Sequence, residues 1–523
     1  MADAGKRDGF HVLVGVVLAG AAMSLGWGIR GDYGHEAGAM IPGALVGLAV
    51  CLASGRADWW RRAGIMGLCG ALGWAFGGQM SYGRVIGYTA GSSLLDVYYG
   101  YASLLLIGGL WAGVGAAVLT LSVTAPRSYL KQFVRPLVAL GGVWLLLGLS
   151  GLTERLVEWR YLHDTDWVGA SSALVVAAVC WVLLPRDRSA CVLIAVLALG
   201  WWGGYLVLTG LLGLHMTPPR SDNWAGCTGL FVALVLYLLR RRERAAVTLA
   251  GWGFLIGGLG FVIGDFANML GRAQWGPIGR YEALQGLDYW KWMEQLFGLV
   301  TGLGVGTLFL RRLRGKLAPP AEDARVRSLD VAALLFLLIV MMWLNLLKNV
   351  RTWARDGHIP QSLLGLDARW WFLLVGVLLS AAMVVAVVRQ GRGRLPLSPP
   401  TDFGRTQLLF LVVMWIPVLG AFTQALPRMS SRAALLVHMS FWLCAGLCSL
   451  IVLSLGGRAG ESTTEMREPS DTSWRLGRRY WIGMCLLPVF LYPVAYLTVA
   501  SHDEPLPGSH LRFAPAAEAR AAS

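Results

Sequence analysis

Apolar segments long enough to cross a bilayer recur along the whole of this 523-residue chain, and this recurrence constrains its fold more than any other feature. A helix needs about 20 apolar residues to cross the hydrocarbon core, and only helices and closed barrels satisfy their backbone hydrogen bonds there. The loops between the segments are short and mostly polar. The pattern predicts an all-α polytopic membrane protein of about fifteen transmembrane helices. The predicted spans are 10–29, 37–53, 63–80, 98–123, 133–152, 167–184, 190–214, 224–239, 246–267, 290–310, 331–347, 370–388, 406–426, 433–455 and 480–500.

Composition narrows the choice of partners. Only 14% of residues are charged, against about 25% in a soluble domain. The net charge of +15 comes from basic residues in separate short loops, so we predict a lipid bilayer as partner and no nucleic acid. The eight Cys residues lie in or beside apolar runs without a CxxC pair. We interpret them as packing residues, and we predict no metal site and no cofactor.

The distribution of basic residues predicts the topology. Most of the 45 Lys and Arg residues fall in alternate loops, for example at 240–244 and 311–327. If these loops are cytoplasmic, the N-terminus is inside and fifteen helices leave the C-terminus outside a bacterial-type inner, or plasma, membrane. The segment from Lys6 to Ala21 also fits a cleaved signal peptide. Its likeness to later spans of the same chain favours a retained first helix.

Four hairpins on the predicted outer side share one pattern, in which two Gly-rich helices flank a polar turn. The closest pair has Gly77 and Gly83-Arg84 in one hairpin against Gly264 and Gly271-Arg272 in the other. We predict a parallel internal duplication, although shared Gly-rich composition is an alternative explanation. The architecture resembles that of the major facilitator transporters, without their loop motifs. The predicted regions are a first six-helix repeat at 1–185, a second at 186–390, a three-helix region at 391–500 and a disordered tail at 501–523.

Polar residues at the four outer turns are the candidate functional residues. An ionisable side chain is expensive in lipid and is therefore paired, solvated or functional. Arg84 and Arg272 occupy matching places, where two guanidinium forks could flank an anion or pair with carboxylates or lipid phosphate instead. Glu36 and Glu294 each begin a Gly-rich helix, where the helix dipole favours a carboxylate, and simple capping is the alternative role.

A duplication about an axis normal to the membrane would gather these groups in one outer vestibule. The apolar surroundings of Asp265 would suit proton coupling, and an interfacial position is the alternative. We predict two sets of residues at this vestibule. The substrate-binding set is Arg30, Gln79, Arg84, Asn223, Asn268 and Arg272, and the ion-coupling set is Asp32, Glu36, Asp265 and Glu294.

Three functions are compatible with these residues. The first is an ion-coupled transporter of a small polar or anionic solute, working by rocking of one repeat against the other. The second is a membrane enzyme that transfers a glycosyl or headgroup from a lipid-linked substrate, with Asp32 or Glu36 as base. Polyprenyl-phosphate glycosyltransferases are similar in placing acidic residues in their first outer loop. The third is a scaffold subunit. The sequence leaves the solute, the coupling ion, the direction and the oligomeric state open.

Overall fold

Apolar segments in lipid must satisfy their own backbone hydrogen bonds, and in the computed structural model they do so as helices. The structure describes residues 2–76, 80, 82–157, 162, 165–218, 222–317, 319–320, 325–426, 431–457 and 470–513. The main helices are α1 (Ala2–Arg30), α2 (Glu36–Ala53), α3 (Ala63–Ala75), α4 (Leu94–Thr124), α5 (Val134–Leu149), α6 (Trp167–Leu183), α7 (Arg188–Tyr205), α8 (Asn223–Arg240), α9 (Arg244–Arg272), α10 (Tyr289–Thr307), α11 (Met341–Arg355), α12 (Ala368–Gly391), α13 (Asp402–Ala425), α14 (Arg432–Ser454) and α15 (Ser470–Val499).

Shorter elements join or extend these helices. The α-helix Arg327–Leu335 continues through the π-helical turn Phe336–Val340 into α11. Two further π-helical turns, Leu206–Leu211 and Leu308–Leu313, extend α7 and α10. The strands β1 (Ser362–Leu363) and β2 (Leu366–Asp367) pair in antiparallel fashion before α12. The remaining short helices are Gly31–Tyr33, Ala57–Trp60, Gly83–Thr89, Arg127–Lys131, Leu152–Val157, Pro185–Asp187 and Pro277–Arg280.

The multi-pass membrane fold is confirmed. Among the described residues, thirteen helices are long and apolar enough to cross a membrane. Two shorter apolar helices, α3 and α6, occupy the places of the third and sixth predicted spans. At about 1.5 Å per residue, the 13 residues of α3 fall short of the hydrocarbon thickness. The predicted number of about fifteen spans therefore stays a prediction.

Six helices form the centre of the molecule. In the order α1, α2, α3, α4, α9 and α10, each packs against the next, and α10 packs against α1. We call this arrangement the central ring. Of the most apolar 18-residue stretch of each helix, 89% is buried in α2 and in α4, whereas only 6% is buried in α12. The helices α5 and α12 therefore form part of the periphery, where their exposed Leu and Val side chains suit contact with lipid.

Glycines allow the ring helices to approach closely. A Cβ atom on Gly43 of α2 would lie 2.3 Å from the carbonyl oxygen of Gly70 of α3. On Gly298 of α10 it would lie 2.4 Å from the carbonyl oxygen of Met23 of α1. Such distances are shorter than any real Cβ contact, so these positions require glycine. The Gly-rich helices that carry Glu36 and Glu294 thus pack closely on their neighbours. Glu36 begins α2 as expected, whereas Glu294 does not begin α10, which starts at Tyr289 with Asp288 as its cap.

The hairpins place their turns on two faces, which we name after one residue of each. The Arg127 face carries the ion pair between Arg127 and Asp330, with an N–O distance of 2.9 Å. On the same face, Arg62 donates to the carbonyl oxygen of Ala125 at 2.8 Å. The Arg30 face, at the other ends of the helices, carries the predicted site residues. The assignment of the Arg30 face to the outside stays a prediction.

The predicted duplication is not reproduced in the helix contacts and stays a prediction. The helix α1 packs against α10 in the central ring, whereas its proposed counterpart α7 packs mainly against α6 and α8. The ring thus combines four helices from 1–185 with two from 186–390. Residues 501–513, expected to belong to a disordered tail, instead pack along the Arg30 face. Leu506, for example, donates its N–H to the carbonyl oxygen of Ala90 at 2.9 Å.

Candidate functional site

A buried charged cluster lies at the end of the central ring on the Arg30 face. Arg30 ends α1, and its guanidinium donates to the hydroxyl of Tyr82 at 3.0 Å and lies 4.0 Å from Oε1 of Glu294. The Tyr82 hydroxyl in turn donates to the same carboxylate oxygen. Arg30 is only 2% exposed and Glu294 only 3%. Burying a charge is expensive unless it is paired, so Arg30 and Glu294 depend on their contacts with each other and with Tyr82.

Tyr82 is positioned by the chain segment that leads into the helix Gly83–Thr89. Burial, together with the neighbouring carboxylate of Glu294, raises the pKa of Tyr82 well above its usual value. The phenol therefore keeps its proton at neutral pH. It acts as a hydrogen-bond donor to Glu294 while it accepts from Arg30.

A second ion pair covers this cluster on the side of the loops. Lys291 lies one turn before Glu294 on α10, and its ammonium is 3.2 Å from Oδ1 of Asp32. The same ammonium is 3.7 Å from Oε2 of Glu294. The Lys291 and Asp32 side chains are 19% and 20% exposed, so this layer is reached by solvent. We call Arg30, Asp32, Tyr82, Lys291 and Glu294 together the Arg30 site.

Aromatic rings from four ring helices lie on the other side of the buried pair. The centre of the Arg30 guanidinium is 5.5 Å from the ring of Trp27 and 5.2 Å from that of Trp111. These two rings meet edge to face at 4.8 Å, and Phe297 packs 4.5 Å from Trp27. Phe261 stacks on Phe297. The four rings form an aromatic layer, in which Trp27 and Trp111 support the guanidinium by cation–π attraction.

Four polar atoms in this region have no hydrogen-bond partner among the described residues. They are the indole nitrogens of Trp27 and Trp111, the Nε of Arg30 and the Oε2 of Glu294. Neither tryptophan is more than 1% exposed. Buried polar groups are usually satisfied, so a group of unsatisfied atoms in one place is informative.

Asp265 and Asn268 form a neighbouring buried group on α9. The Thr89 hydroxyl donates to Oδ2 of Asp265 at 2.6 Å, and the amide of Asn268 donates to Oδ1 at 3.0 Å. The same amide lies 3.9 Å from the sulfur of Met293, the residue before Glu294. Both predicted residues are therefore buried in the ring close to α10 but outside the Arg30 site.

The two arginines predicted to flank a substrate lie instead against residues 501–513, which we call the C-terminal strap. Arg272 donates to the carbonyl oxygen of Pro507. Burial lowers the pKa of His510, and the charge of Arg84 lowers it further. The strap continues to Asp96, whose carboxylate accepts the backbone N–H of Arg512 at 2.7 Å. The matching places of the arginines in the sequence gave no signal of this segment.

The third predicted hairpin forms a separate group. Asn223 begins α8 and accepts the backbone N–H of Asp166 at 2.9 Å. Beside it, Asp222 pairs with His215 at 2.7 Å.

The remaining predicted residues lie in the first two hairpins. Glu36 begins α2 and is partly exposed. Gln79 lies outside the described residues. The Arg30 site thus gathers residues of the first, second and fourth hairpins only.

Sequence reasoning missed the aromatic layer. Trp27 and Arg30 are three residues apart on one helix, a spacing that puts both on the same face. That spacing was the available signal for Trp27. Trp111 lies in an apolar helix distant in sequence and carried none. Among the described residues, no group of three or more His, Cys, Asp or Glu side chains is arranged to hold a metal ion.

Comparison with known proteins returned no relative: no family model, no curated protein and no solved structure matches this chain.

Proposed function

We propose that this protein transports a small polar or anionic solute, and that the Arg30 site binds the solute and couples its movement to an ion. The observation that carries the proposal is the burial of Arg30 and Glu294 inside the ring end of a multi-pass membrane protein. Ionisable groups at such positions are costly, and they commonly mark substrate and ion pathways. The partly exposed ion pair between Asp32 and Lys291 covers these two residues on the solvent side.

The contacts suggest how binding and coupling are linked. Arg30 offers a fixed guanidinium fork that suits carboxylate or phosphate oxygens. A solute anion that pairs with Arg30 leaves Glu294 with Lys291, at 3.7 Å, but without Arg30. A proton or a sodium ion then takes the place of Arg30 beside Glu294. The Tyr82 hydroxyl is hydrogen-bonded to both charged groups, so a change in the pairing of Arg30 alters the hydrogen bond that Tyr82 makes to Glu294.

Alternating access in this account comes from movement of α9 and α10 against α1–α4. Parting of Asp32 from Lys291 opens the Arg30 site to one side. For the Arg30 site to open to the Arg127 face, α1 and α10 must separate along their glycine-lined contact. We place the Arg30 face outside and the protein in the plasma membrane, following the distribution of basic residues.

Solute flux tests the proposal. The purified full-length protein is reconstituted in liposomes, and uptake of radiolabelled small carboxylates, phosphate esters and amino acids is measured under an imposed proton or sodium gradient. We expect the wild type to take up at least one solute. Glu294→Gln should remove this uptake, because the neutral amide cannot bind the coupling proton or sodium ion.

Asp402→Asn is the matched control, since Asp402 also pairs with an arginine, Arg325, but lies on the Arg127 face. Its uptake should match the wild type. A wild type that takes up no member of the panel, or a Glu294→Gln variant with unchanged uptake, would contradict the assignment. Loss of a lipid-linked product without any flux would favour an enzyme instead.

A further inference from the structure

Unsatisfied hydrogen-bond donors exceed unsatisfied acceptors around Arg30. The indole nitrogens of Trp27 and Trp111 and the Nε of Arg30 are buried N–H groups without an acceptor among the described residues. An indole or guanidinium nitrogen can only donate. The unsatisfied acceptor within the Arg30 site, Oε2 of Glu294, already faces the ammonium of Lys291 at 3.7 Å. The excess of donors over acceptors suits a ligand that carries hydrogen-bond acceptors.

We propose that Trp27, Trp111 and Arg30 form a binding chamber for a small oxyanion or short-chain carboxylate. The three donors belong to side chains that adjoin one another, since the Arg30 guanidinium lies 5.5 and 5.2 Å from the centres of the two rings and the rings are 4.8 Å apart. Anion oxygens accept hydrogen bonds from such donors more strongly than neutral acceptors do. The chamber names the solute class of the proposed function and rests on that function for its role in transport.

The surroundings select for size and charge. Trp27 lies 4.8 Å from Trp111 and 4.5 Å from Phe297. Rings at these separations are in direct contact and leave little room between them, so only an anion of a few heavy atoms suits the chamber. A cation is disfavoured because the ring faces already hold the Arg30 guanidinium. A neutral solute forms no ion pair with Arg30 and is therefore bound less strongly than an anion.

An unpaired indole alone does not mark such a site. Trp74 is equally buried, and its nitrogen also lacks a partner among the described residues. Its ring lies against Gly115 on the neighbouring helix. Trp27 and Trp111 differ from it because both adjoin the same buried guanidinium. Trp74 therefore provides a matched control.

Anion binding is measured on the detergent-purified full chain without any gradient. Sodium acetate, nitrate and phosphate are the probes, with ionic strength held constant by a bulky sulfonate salt. We expect a saturable rise in Tm with at least one probe. Trp27→Phe and Trp111→Phe keep a ring but lose the N–H, so each should raise the half-saturating concentration by about tenfold. Trp74→Phe should bind as the wild type does.

Absence of a saturable rise in the wild type with all three probes would overturn the chamber. So would unchanged binding in both Trp27→Phe and Trp111→Phe, or equal weakening in Trp74→Phe. Failure of the chamber is distinguishable from failure of the transporter proposal. Flux of a non-anionic solute without anion binding would remove only the chamber. Anion binding without flux of any solute would uphold the chamber and remove the transporter assignment.

Discussion

At the scale of single residues, Glu294 is held by groups of different kinds. Its Oε1 accepts from Tyr82 and lies 4.0 Å from Arg30. Among the described residues, its Oε2 faces the ammonium of Lys291 at 3.7 Å and has no hydrogen-bond partner. A buried carboxylate with incomplete partners is poorly stabilised as a purely structural group. Incomplete pairing of this kind is expected of a group whose partners change during a cycle.

Tyr82→Phe tests the pairing at this scale. The substitution keeps the ring but leaves Arg30 and Glu294 each without one partner, so we expect the free energy of unfolding to fall by about 1–3 kcal/mol. Reversible unfolding in mixed micelles measures it. Tyr289→Phe is the control, because its hydroxyl donates only to the carbonyl oxygen of Leu284, at 2.7 Å. An effect of Tyr82→Phe no larger than that of Tyr289→Phe would contradict the account.

At the scale of helices, the Arg30 site depends on how closely α1 and α10 approach. Gly298 and Gly302 of α10 lie against the carbonyl oxygens of Met23 and Ala19 of α1. Gly298 is one turn from Glu294 on the same helix. The contact that joins the two helices therefore also sets the distance between Arg30 and Glu294.

Gly298→Ala should destabilise the protein by about 1–3 kcal/mol, because the added methyl group collides with backbone on α1. Gly141 of the peripheral α5 has open space around its Cβ position. Gly141→Ala should be neutral or stabilising by up to about 1 kcal/mol, since alanine is the better helix former. The same unfolding assay compares the two variants. Equal effects would show that the glycine contact does not determine the helix spacing.

At the scale of the whole molecule, the C-terminal strap connects the site region with the third hairpin. Its His510 ring lies directly on Gly87, and its Arg512 donates to the carbonyl oxygen of His215 at 3.0 Å. The strap is thus docked on the Arg30 face next to the helix Gly83–Thr89, which follows Tyr82.

Acidification should loosen the strap. The pKa of His510 is lowered by burial and by Arg84, so the docked state favours neutral His510. Docking is then strongest above about pH 6.5, the ordinary histidine value, and weakens as the pH falls below it. Hydrogen-exchange protection factors of 501–513, corrected for intrinsic exchange, measure the change.

His510→Asn should abolish this pH dependence, and His502→Asn should leave it intact. His502 also contacts a backbone oxygen of the helical region, that of Gly91, at 3.2 Å. Protection that is independent of pH in the wild type would contradict the role given to His510.

The sequence predicted the parts of this molecule that depend on local pattern. The apolar runs identify the helices, and the glycines after Glu36 and Glu294 identify two of them as Gly-rich. Arg30, Asp32 and Glu294 are predicted site residues, because an ionisable side chain in lipid is costly unless it is paired, solvated or functional.

Long-range arrangement was less predictable from single-sequence patterns. Nothing local indicates that Trp111 reaches Arg30, or that Arg84 and Arg272 lie against the strap. The strap itself has a polar, Pro-containing composition that is typical of disorder, and tertiary contacts override that tendency. The matching turns predicted one vestibule, whereas Asn223 belongs to a separate group.

Controlled closure of the outer layer tests the central claim most directly. Asp32→Cys and Lys291→Cys are combined, and a reducible bis-thiosulfonate reagent links the two thiols in liposomes. We predict that solute flux stops on cross-linking and returns on reduction, while the similarly treated wild type keeps its flux. Undiminished flux through the cross-linked protein would contradict a pathway that passes through the Arg30 site.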